Sequence, residues 1–239
     1  MRQSLYIHQQ GKRAYQEDSL YVDPRGSLYI VCDGVGGSDA GSVASQAVVE
    51  ALTNAYHNHG DVPVNLDTLR QWLMNLSDLV LPEAMRSDGI SASTTIALVY
   101  ISDAVALTAH IGDSRIYHIR SAAEWTASAD HSVVRELYEA GVITSEEEMV
   151  NHPMKNRITR AINISDQQQV INPEMEAKDV MPGDLFLLCT DGIYERLTSQ
   201  ALVDGITNQR LTLESRWDLL RQFCQVNSQD NYTAIVVVV

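Results

Sequence analysis

Apolar residues fall along this chain in two rhythms. Short runs that alternate or are fully apolar lie at the start, in the middle and at the end. Longer stretches repeat their apolar positions every three to four residues. Ser4–His8, Ser19–Asp23 and Ser27–Asp33 fit strands, with Pro24-Arg25-Gly26 as hairpin punctuation between the last two. A helix is predicted from about Ala40 to His59, with Val43, Ala47, Val48, Leu52 and Ala55 on its apolar face. A second is predicted over Leu66–Arg86, with Leu69, Leu73, Leu76 and Val80 as its stripe. Thr94–Ser102, Val105–Ile111 and Arg115–Ile119 are rich in β-branched residues and tightly punctuated, as in an antiparallel meander.

Beyond the meander, His131 to about Gly141 has a helical pattern, and Ser145–Asn163 is polar and poorly periodic, which predicts a loop-rich excursion. Strands are expected at Gln169–Glu174 and Asp184–Cys189, helices at Thr198–Thr207 and Leu213–Val226, and a closing strand at Tyr232–Val239. Strands, two helices, strands again, then helices and a last strand make a segregated α+β order, not an alternating βαβ one. Helix pairs covering stacked antiparallel sheets satisfy it. No repeat, low-complexity tract or Pro/Ser-rich linker interrupts the chain, so residues 1–239 are expected to form one domain.

Charge narrows the partners. The chain has 31 acidic and 17 basic residues, a net charge of −14. Such a surface repels nucleic acid and anionic lipid, so neither is expected as a partner. Composition leaves open whether this is simple acidity or whether some carboxylates bind cations. The three cysteines, Cys32, Cys189 and Cys224, lie far apart without zinc-ligand spacing. Cys32 and Cys189 sit in apolar runs, where a buried free thiol is the expected state and a reducing compartment follows. The start, Met1-Arg2-Gln3-Ser4, is not a signal-peptide core, and no stretch reaches the roughly 18 apolar residues of a membrane span. A cytoplasmic protein without membrane insertion is therefore expected.

Chemistry enters through aspartates paired with glycine at strand ends. Asp33-Gly34-Val35-Gly36-Gly37 follows an apolar run, as do Gly112-Asp113-Ser114-Arg115 and Asp191-Gly192. Asp230-Asn231 precedes the last strand and Glu17-Asp18 begins the second. A carboxylate at a strand end is held rigidly yet can face a cleft, and glycine beside it lets the backbone approach a ligand. Converging carboxylates repel one another unless cations sit between them. Oxygen ligands of this kind select hard ions such as Mg²⁺ or Mn²⁺. Each Asp-Gly pair alone is an ordinary turn signal. The glycine-rich loop has no P-loop Lys-Ser/Thr, and Asp39 stands where a dinucleotide fingerprint needs its third glycine. Gly112-Asp113-Ser114 is not a nucleophile elbow.

The joint order of these sites resembles the metal-dependent protein phosphatases, the type 2C serine/threonine family, in their short bacterial form. The resemblance runs from Gly11 to the last residues. It is carried by Gly11-Lys12-Arg13-Ala14-Tyr15-Gln16-Glu17-Asp18, by Asp33 to Gly37, by Ser93-Thr94-Thr95, and by Gly112-Asp113-Ser114-Arg115-Ile116-Tyr117. Further along come Asp130-His131-Ser132, His152-Pro153, Thr159-Arg160-Ala161-Ile162, Asp184 to Gly192, and Asp230-Asn231-Tyr232-Thr233.

The resemblance implies a β-sandwich of two antiparallel sheets flanked by antiparallel helix pairs, with a flap over about residues 129–163. It implies a serine/threonine phosphatase that hydrolyses phosphoserine and phosphothreonine monoesters by attack of a water or hydroxide bridging two metals. Its substrates would be phosphoproteins, in opposition to a bacterial serine/threonine kinase. The cofactors implied are two catalytic Mn²⁺ or Mg²⁺ ions and a weaker third. Asp33 would bridge the pair, with Asp191 and Asp230 completing the first site. Glu17 and the Gly34 carbonyl would serve the second. Asp113 with Asp191 matches the third, and Asp18 and Asn231 would support the ligands.

Arg13 matches the family's phosphate-binding arginine, whose planar fork suits two phosphate oxygens. Asp113 could instead cap its turn and pair with Arg115, and Asn231 could merely set the turn before the last strand. His131 and His152 fit structural roles better than ligand roles. The sequence departs from the family at Gln16, Ser93 and Asn163, and Val35 stands where eukaryotic members carry a histidine proposed as general acid. Two other functions share these residues: a pseudophosphatase that only binds a partner, and a phosphatase for small phosphate esters.

Overall fold

Several strands carry side chains that alternate between two cores, and that alternation stacks the molecule in layers. The structure is a computed structural model that describes residues 2–36, 39–60, 62–79, 91–166 and 168–239. In β3 (Leu28–Cys32), Leu28, Ile30 and Cys32 join one apolar cluster, while Tyr29 and Val31 join another. In β6 (Ile96–Ile101), Ile96, Leu98 and Tyr100 divide from Ala97, Val99 and Ile101 in the same way. From the other sheet, Phe186 and Leu188 of β12 (Leu185–Cys189) and Ile235 and Val237 of β13 (Tyr232–Val238) meet Tyr29 and Val31. Strands apolar on both faces are buried on both faces, which is why these runs are nearly unbroken in sequence.

The first sheet runs β2 (Ser19–Val22), β3, β6, β7 (Val105–Ile111), β11 (Glu174–Asp179), and the second runs β1 (Ser4–Gln9), β13, β12, β8 (Arg115–Ser121), β9 (Glu124–Ala127). Every neighbouring pair is antiparallel. Two-residue strands β4 (Gly34–Val35), β5 (Ser93–Thr94) and β10 (Ile162–Asn163) add a small third sheet, which the sequence did not lead us to expect.

Helices cover both outer faces. On the first sheet lie α1 (Asp39–His59) and α2 (Leu66–Met74), the latter capped by Asn65, whose side chain accepts a hydrogen bond from Thr68 N at 2.9 Å. The expected second helix is shorter than predicted: a 3₁₀ turn, Asn75–Asp78, follows α2, and its remainder with Val80 lies outside the described residues. The face of α1 is also rotated from the expected one. Ala40, Ala44, Val48, Leu52 and Tyr56 are buried, whereas Val43, Ala47 and Ala55 pack at the margin.

Between β9 and β10, α3 (Val133–Glu139) and α4 (Glu146–Asn151) enclose their own small cluster of Val134, Ile143 and Met149. On the second sheet, α6 (Ser199–Thr207) and α7 (Leu213–Asn227) follow the single turn α5 (Asp191–Tyr194). The sandwich flanked by helix pairs is thus the architecture found, and among the described residues no helix is long and apolar enough to cross a membrane.

Two further expected elements are corrected. The strand at 169–174 lies instead at Glu174–Asp179, an edge strand of mostly polar residues paired only with β7. The 145–163 excursion is not all loop, because α4 is capped by Ser145, whose hydroxyl accepts from Glu148 N at 3.2 Å. All three cysteines are free and buried, as was expected of Cys32 and Cys189.

Candidate active site

Antiparallel pairing gathers strand ends, and here it gathers carboxylates. Ser19 at the start of β2 pairs with Cys32 at the end of β3, so Glu17 and Asp18 approach Asp33. Cys189, ending β12, pairs with Ala234 near the start of β13 and with Arg115 at the start of β8. That brings Asp191, Asp230 and Asp113 to the same end. Asp33, Asp191 and Asp230 are half-buried, while Glu17, Asp18 and Asp113 are buried.

The backbone at each carboxylate is tied from several sides. Asp33 N donates to Thr95 Oγ1 at 3.0 Å, and Asp33 O accepts from Thr95 N at 2.9 Å and from Thr94 Oγ1 at 2.8 Å. This is the work of the Ser93-Thr94-Thr95 run. Gly34 N donates to Glu17 O at 3.2 Å, and a Cβ on Gly34 would stand 2.6 Å from that same oxygen. Only glycine permits this approach. Ser45 Oγ, from α1, donates to Glu17 O at 2.6 Å. Asn231 binds the 10–17 loop: its amide nitrogen donates to Gln10 O at 2.7 Å and Tyr15 O at 2.8 Å, and its oxygen accepts from Glu17 N at 2.9 Å. It therefore does more than set the turn before β13, because it holds the segment carrying Arg13 and Glu17.

Asp113 hangs from a turn clamped by histidine. Gly112 has φ 96°, and a Cβ there would stand 2.5 Å from Thr95 Cγ2. His131 N donates to Gly112 O at 2.9 Å, and Gly112 N donates to His131 Nδ1 at 3.0 Å. With Nδ1 accepting, the ring proton lies on Nε2, which donates to Glu174 Oε1 at 2.8 Å. Arg160 shares that carboxylate at 3.2 Å. Ligand-type atoms of His110, His131 and Glu174 lie within 4.8 Å of one another, but a metal there is disfavoured. The two rings stack nearly parallel, 6° apart, so their lone pairs do not converge, and Arg160 Nη1 lies 2.8 Å from His131 Nε2. The cluster is an anchor for the turn. Arg115 does not pair with Asp113; it forks onto Asp130, with both bonds at 2.7 Å.

Electrostatics set the carboxylate group apart. Burial, then the charges of Asp18, Asp191, Asp113 and Asp230, push the Asp33 carboxyl well up. Burial, then Asp113, Asp230 and Asp18, do the same at Asp191. Burial raises both Asp18 and Asp113 to about 7. Asp18 Oδ2 accepts from Thr190 Oγ1 at 3.1 Å, but Asp18 Oδ1 and Asp191 Oδ1 are buried without a hydrogen-bond partner. Arg13, largely exposed, pairs with Asp230 Oδ2. It is the cation whose pKa Asp230, Asp191 and Glu17 raise together. Gathered anions, orphaned buried oxygens and a backbone cradle at Gly34 fit hard divalent cations.

Sequence reasoning found every carboxylate of this group. It missed what holds them: Thr190 on Asp18, Ser45 on Glu17, and Glu174 with Arg160 on His131. Tyr194 was missed as well; its hydroxyl donates to Asp113 O at 2.8 Å.

Comparison with known proteins agrees. A family model described as protein phosphatase 2C matches residues 8–231. Protein phosphatase PhpP of Streptococcus pneumoniae is 32% identical over 240 residues, covering 95% of this chain and 92% of that protein. The solved serine/threonine phosphatase PstP/Ppp of Mycobacterium tuberculosis superposes with a TM-score of 0.83 at 28% identity, covering 100% of this chain and 98% of that one. A catalytic domain of the phosphatase PstP in complex with 2 manganese ions shares the fold, with a TM-score of 0.78 at 23% identity over 99% of this chain and 97% of that one. The family match over nearly the whole length, on a fold that gathers the carboxylates at one end of its sandwich, makes this chain a member of the protein phosphatase 2C family.

Proposed function

We propose that the gathered carboxylates form a two-metal centre for hydrolysis of phosphoserine and phosphothreonine esters. The chain is a metal-dependent serine/threonine protein phosphatase of the bacterial kind; the role of each residue is our reading. One observation carries it: the carboxyls of Asp33 and Asp191 are pushed well up by burial and by neighbouring acids, and among the described residues two buried oxygens of the group, Asp18 Oδ1 and Asp191 Oδ1, have no hydrogen-bond partner. Nature leaves such oxygens unpaired at high cost, about 1–3 kcal/mol or more each, unless a ligand takes them.

Asp33 would hold both ions, Asp191 and Asp230 would complete one site, and Glu17 with the Gly34 carbonyl would serve the other. Asp113, whose charge bears on Asp191, would share a third and weaker ion with it. A bound pair of Mn²⁺ or Mg²⁺ ions supplies an activated water at neutral pH and neutralises charge on the phosphoryl group.

The chain's own residues do the rest. Arg13, with its guanidinium at the edge of the anionic group, orients the phosphate by a planar fork. In this structure it rests on Asp230, and a phosphate would take it over. Asp18, anchored by Thr190, braces the inner side of the centre. Asn231 keeps Arg13 and Glu17 on one fixed segment. No side-chain nucleophile is required.

Residues 129–163, which include α3 and α4, serve as the flap of a catalytic domain formed by the whole chain. The substrates are proteins phosphorylated by a serine/threonine kinase, since those are the esters this chemistry removes. Three buried reduced thiols suit the cytoplasm. The test is turnover of a phosphothreonine peptide with Mn²⁺, then with EDTA. Turnover abolished by EDTA and restored by Mn²⁺ supports the centre; EDTA-resistant turnover overturns it.

A further inference from the structure

A cavity of about 480 Å³ lies where α3 and α4 lean toward β9 and α5. Asp113 and Asp191 stand in its wall, so whatever fills it sits beside the carboxylate group. Trp125, Val134, Tyr138, Met149 and Tyr194 give the wall an apolar part, and charged and polar side chains complete it. Tyr138 is 40% exposed, an aromatic side chain left open beside the cavity.

Several polar groups near these residues already have partners within the protein. Asp130 is forked by Arg115 at 2.7 Å twice. Glu195 Oε1 accepts from Gln229 N at 2.7 Å, and Arg135 pairs with Glu139 at 2.7 Å. Glu146 Oε1 accepts from Ser199 N at 3.0 Å and Ser199 Oγ at 2.6 Å. That last pair ties α4 to the first turn of α6, so the wall is fixed rather than a loose cleft. Lys155 is the one lining residue whose charge is left without a carboxylate partner among the described residues. The apolar part of the wall repays an uncharged side chain, while the acids at its inner end, Asp113 and Asp191, repel a second phosphate.

We infer that this cavity is a substrate subsite for a bulky apolar side chain, of leucine, methionine or phenylalanine size, that flanks the phosphoserine or phosphothreonine. The occupant is the substrate chain itself, because the cavity is continuous with the residues that would hold the metals. The inference rests on the phosphatase reading and adds a sequence preference to it. Small phosphate esters cannot reach the subsite and forgo its contribution. Tyr138 and Trp125 are specificity residues, and Glu146 with Ser199 positions the wall that carries Met149.

Wild-type protein with Mn²⁺ is assayed on phosphothreonine peptides that differ only by leucine, phenylalanine or alanine at each flanking position, beside an aryl phosphate. At one or two positions, kcat/KM should rise about tenfold or more for the bulky apolar residue over alanine, the scale of burying one such side chain. Tyr138→Ala, and Ala127→Trp built to fill the cavity, should each collapse that ratio toward one, with thermal melts showing that both variants fold.

Equal rates on all peptides overturn the subsite while leaving the phosphatase reading intact. So does a ratio that survives both substitutions. A preference for a second phosphorylated residue that Lys155→Ala removes would assign the cavity to an anion and likewise overturn the inference. Absence of turnover on every peptide and on the aryl phosphate would instead strike the phosphatase reading beneath it.

Discussion

Two neighbouring regions bury acid in opposite ways. Around Arg115 the protein compensates itself: the guanidinium forks onto Asp130, and its plane lies 3.7 Å from the Tyr194 ring centroid. At the far ends of the strands the same holds: Asp184 accepts from His118 at 2.8 Å, and Asp23 accepts from Tyr56 at 2.9 Å. One sheet-end turn away from Arg115, Asp33, Asp191, Asp18 and Asp113 crowd together, each with its carboxyl pushed up by burial first and then by other acids. Among the described residues, Arg13 pairs with Asp230 alone. Natural chains pair the acids they bury for structure, so a group left unpaired is kept for something that arrives later. The contrast, more than the count of acids, marks the site.

The sharpest way to break this comparison is to treat both regions alike. Asp33→Asn should lower kcat/KM on a phosphothreonine peptide by about a thousandfold or more, since several kcal/mol of metal-dependent stabilisation is lost. Its thermal stability without metal should hold or rise, because one repelling charge is gone. Asp130→Ala should do the reverse. It strands a buried guanidinium and should cost about 3–5 kcal/mol in urea denaturation, and added Mn²⁺ should not repair the loss.

The next effect is a dependence on pH. Asp18 and Asp113 are raised to about 7 in the fold, above the roughly 3.9 of an unfolded aspartate. The fold thus favours their protonated forms. Their stabilising contribution is full below about pH 4 and is lost as pH rises through about 7. Metal-free protein should melt lower at pH 7.5 than at pH 5. Mn²⁺ at a hundredfold excess over its Kd should restore about 2.7 kcal/mol, or about 5–10 °C, and more at the higher pH. A metal-free protein whose melting temperature rises from pH 5 to 7.5 would contradict the crowding argument.

The smallest effect belongs to the clamp on the Asp113 turn. His131→Leu loses the bonds to Gly112 N and Glu174, worth about 1–1.5 kcal/mol net, or roughly tenfold in kcat/KM. His131→Asn keeps an acceptor near Gly112 N and should recover part of the loss. Equal loss in both would remove the clamp from the account.

Much of this was legible in the chain because the carboxylates sit where apolar runs stop. Leu28–Cys32 and Leu185–Cys189 announce buried strands, and the aspartates beyond them had to emerge at their ends. What lay hidden depended on contacts far apart in sequence. Glu174 meets His131 across 43 positions, from an edge strand, Glu174–Asp179, whose polar residues match no buried-strand pattern. The rotated face of α1 was hidden for a different reason. Its alanines and valines are spread around the helix, so the pattern alone chose the wrong edge of the stripe, and packing on the first sheet decided it. The helix α4 was missed although Ser145 and Glu148 stand in capping-box spacing, because six residues with three consecutive glutamates carry almost no apolar period.

The central claim is that the unpaired carboxylates await paired cations. Calorimetric titration of metal-free protein with Mn²⁺ at pH 7.5 tests it most directly. The account predicts that about two ions bind tightly, with release of protons from the raised carboxyls, and that Asp33→Asn removes the tight binding while the protein stays folded. Folded wild-type protein that takes up no Mn²⁺, or binding that Asp33→Asn leaves unchanged, would contradict it.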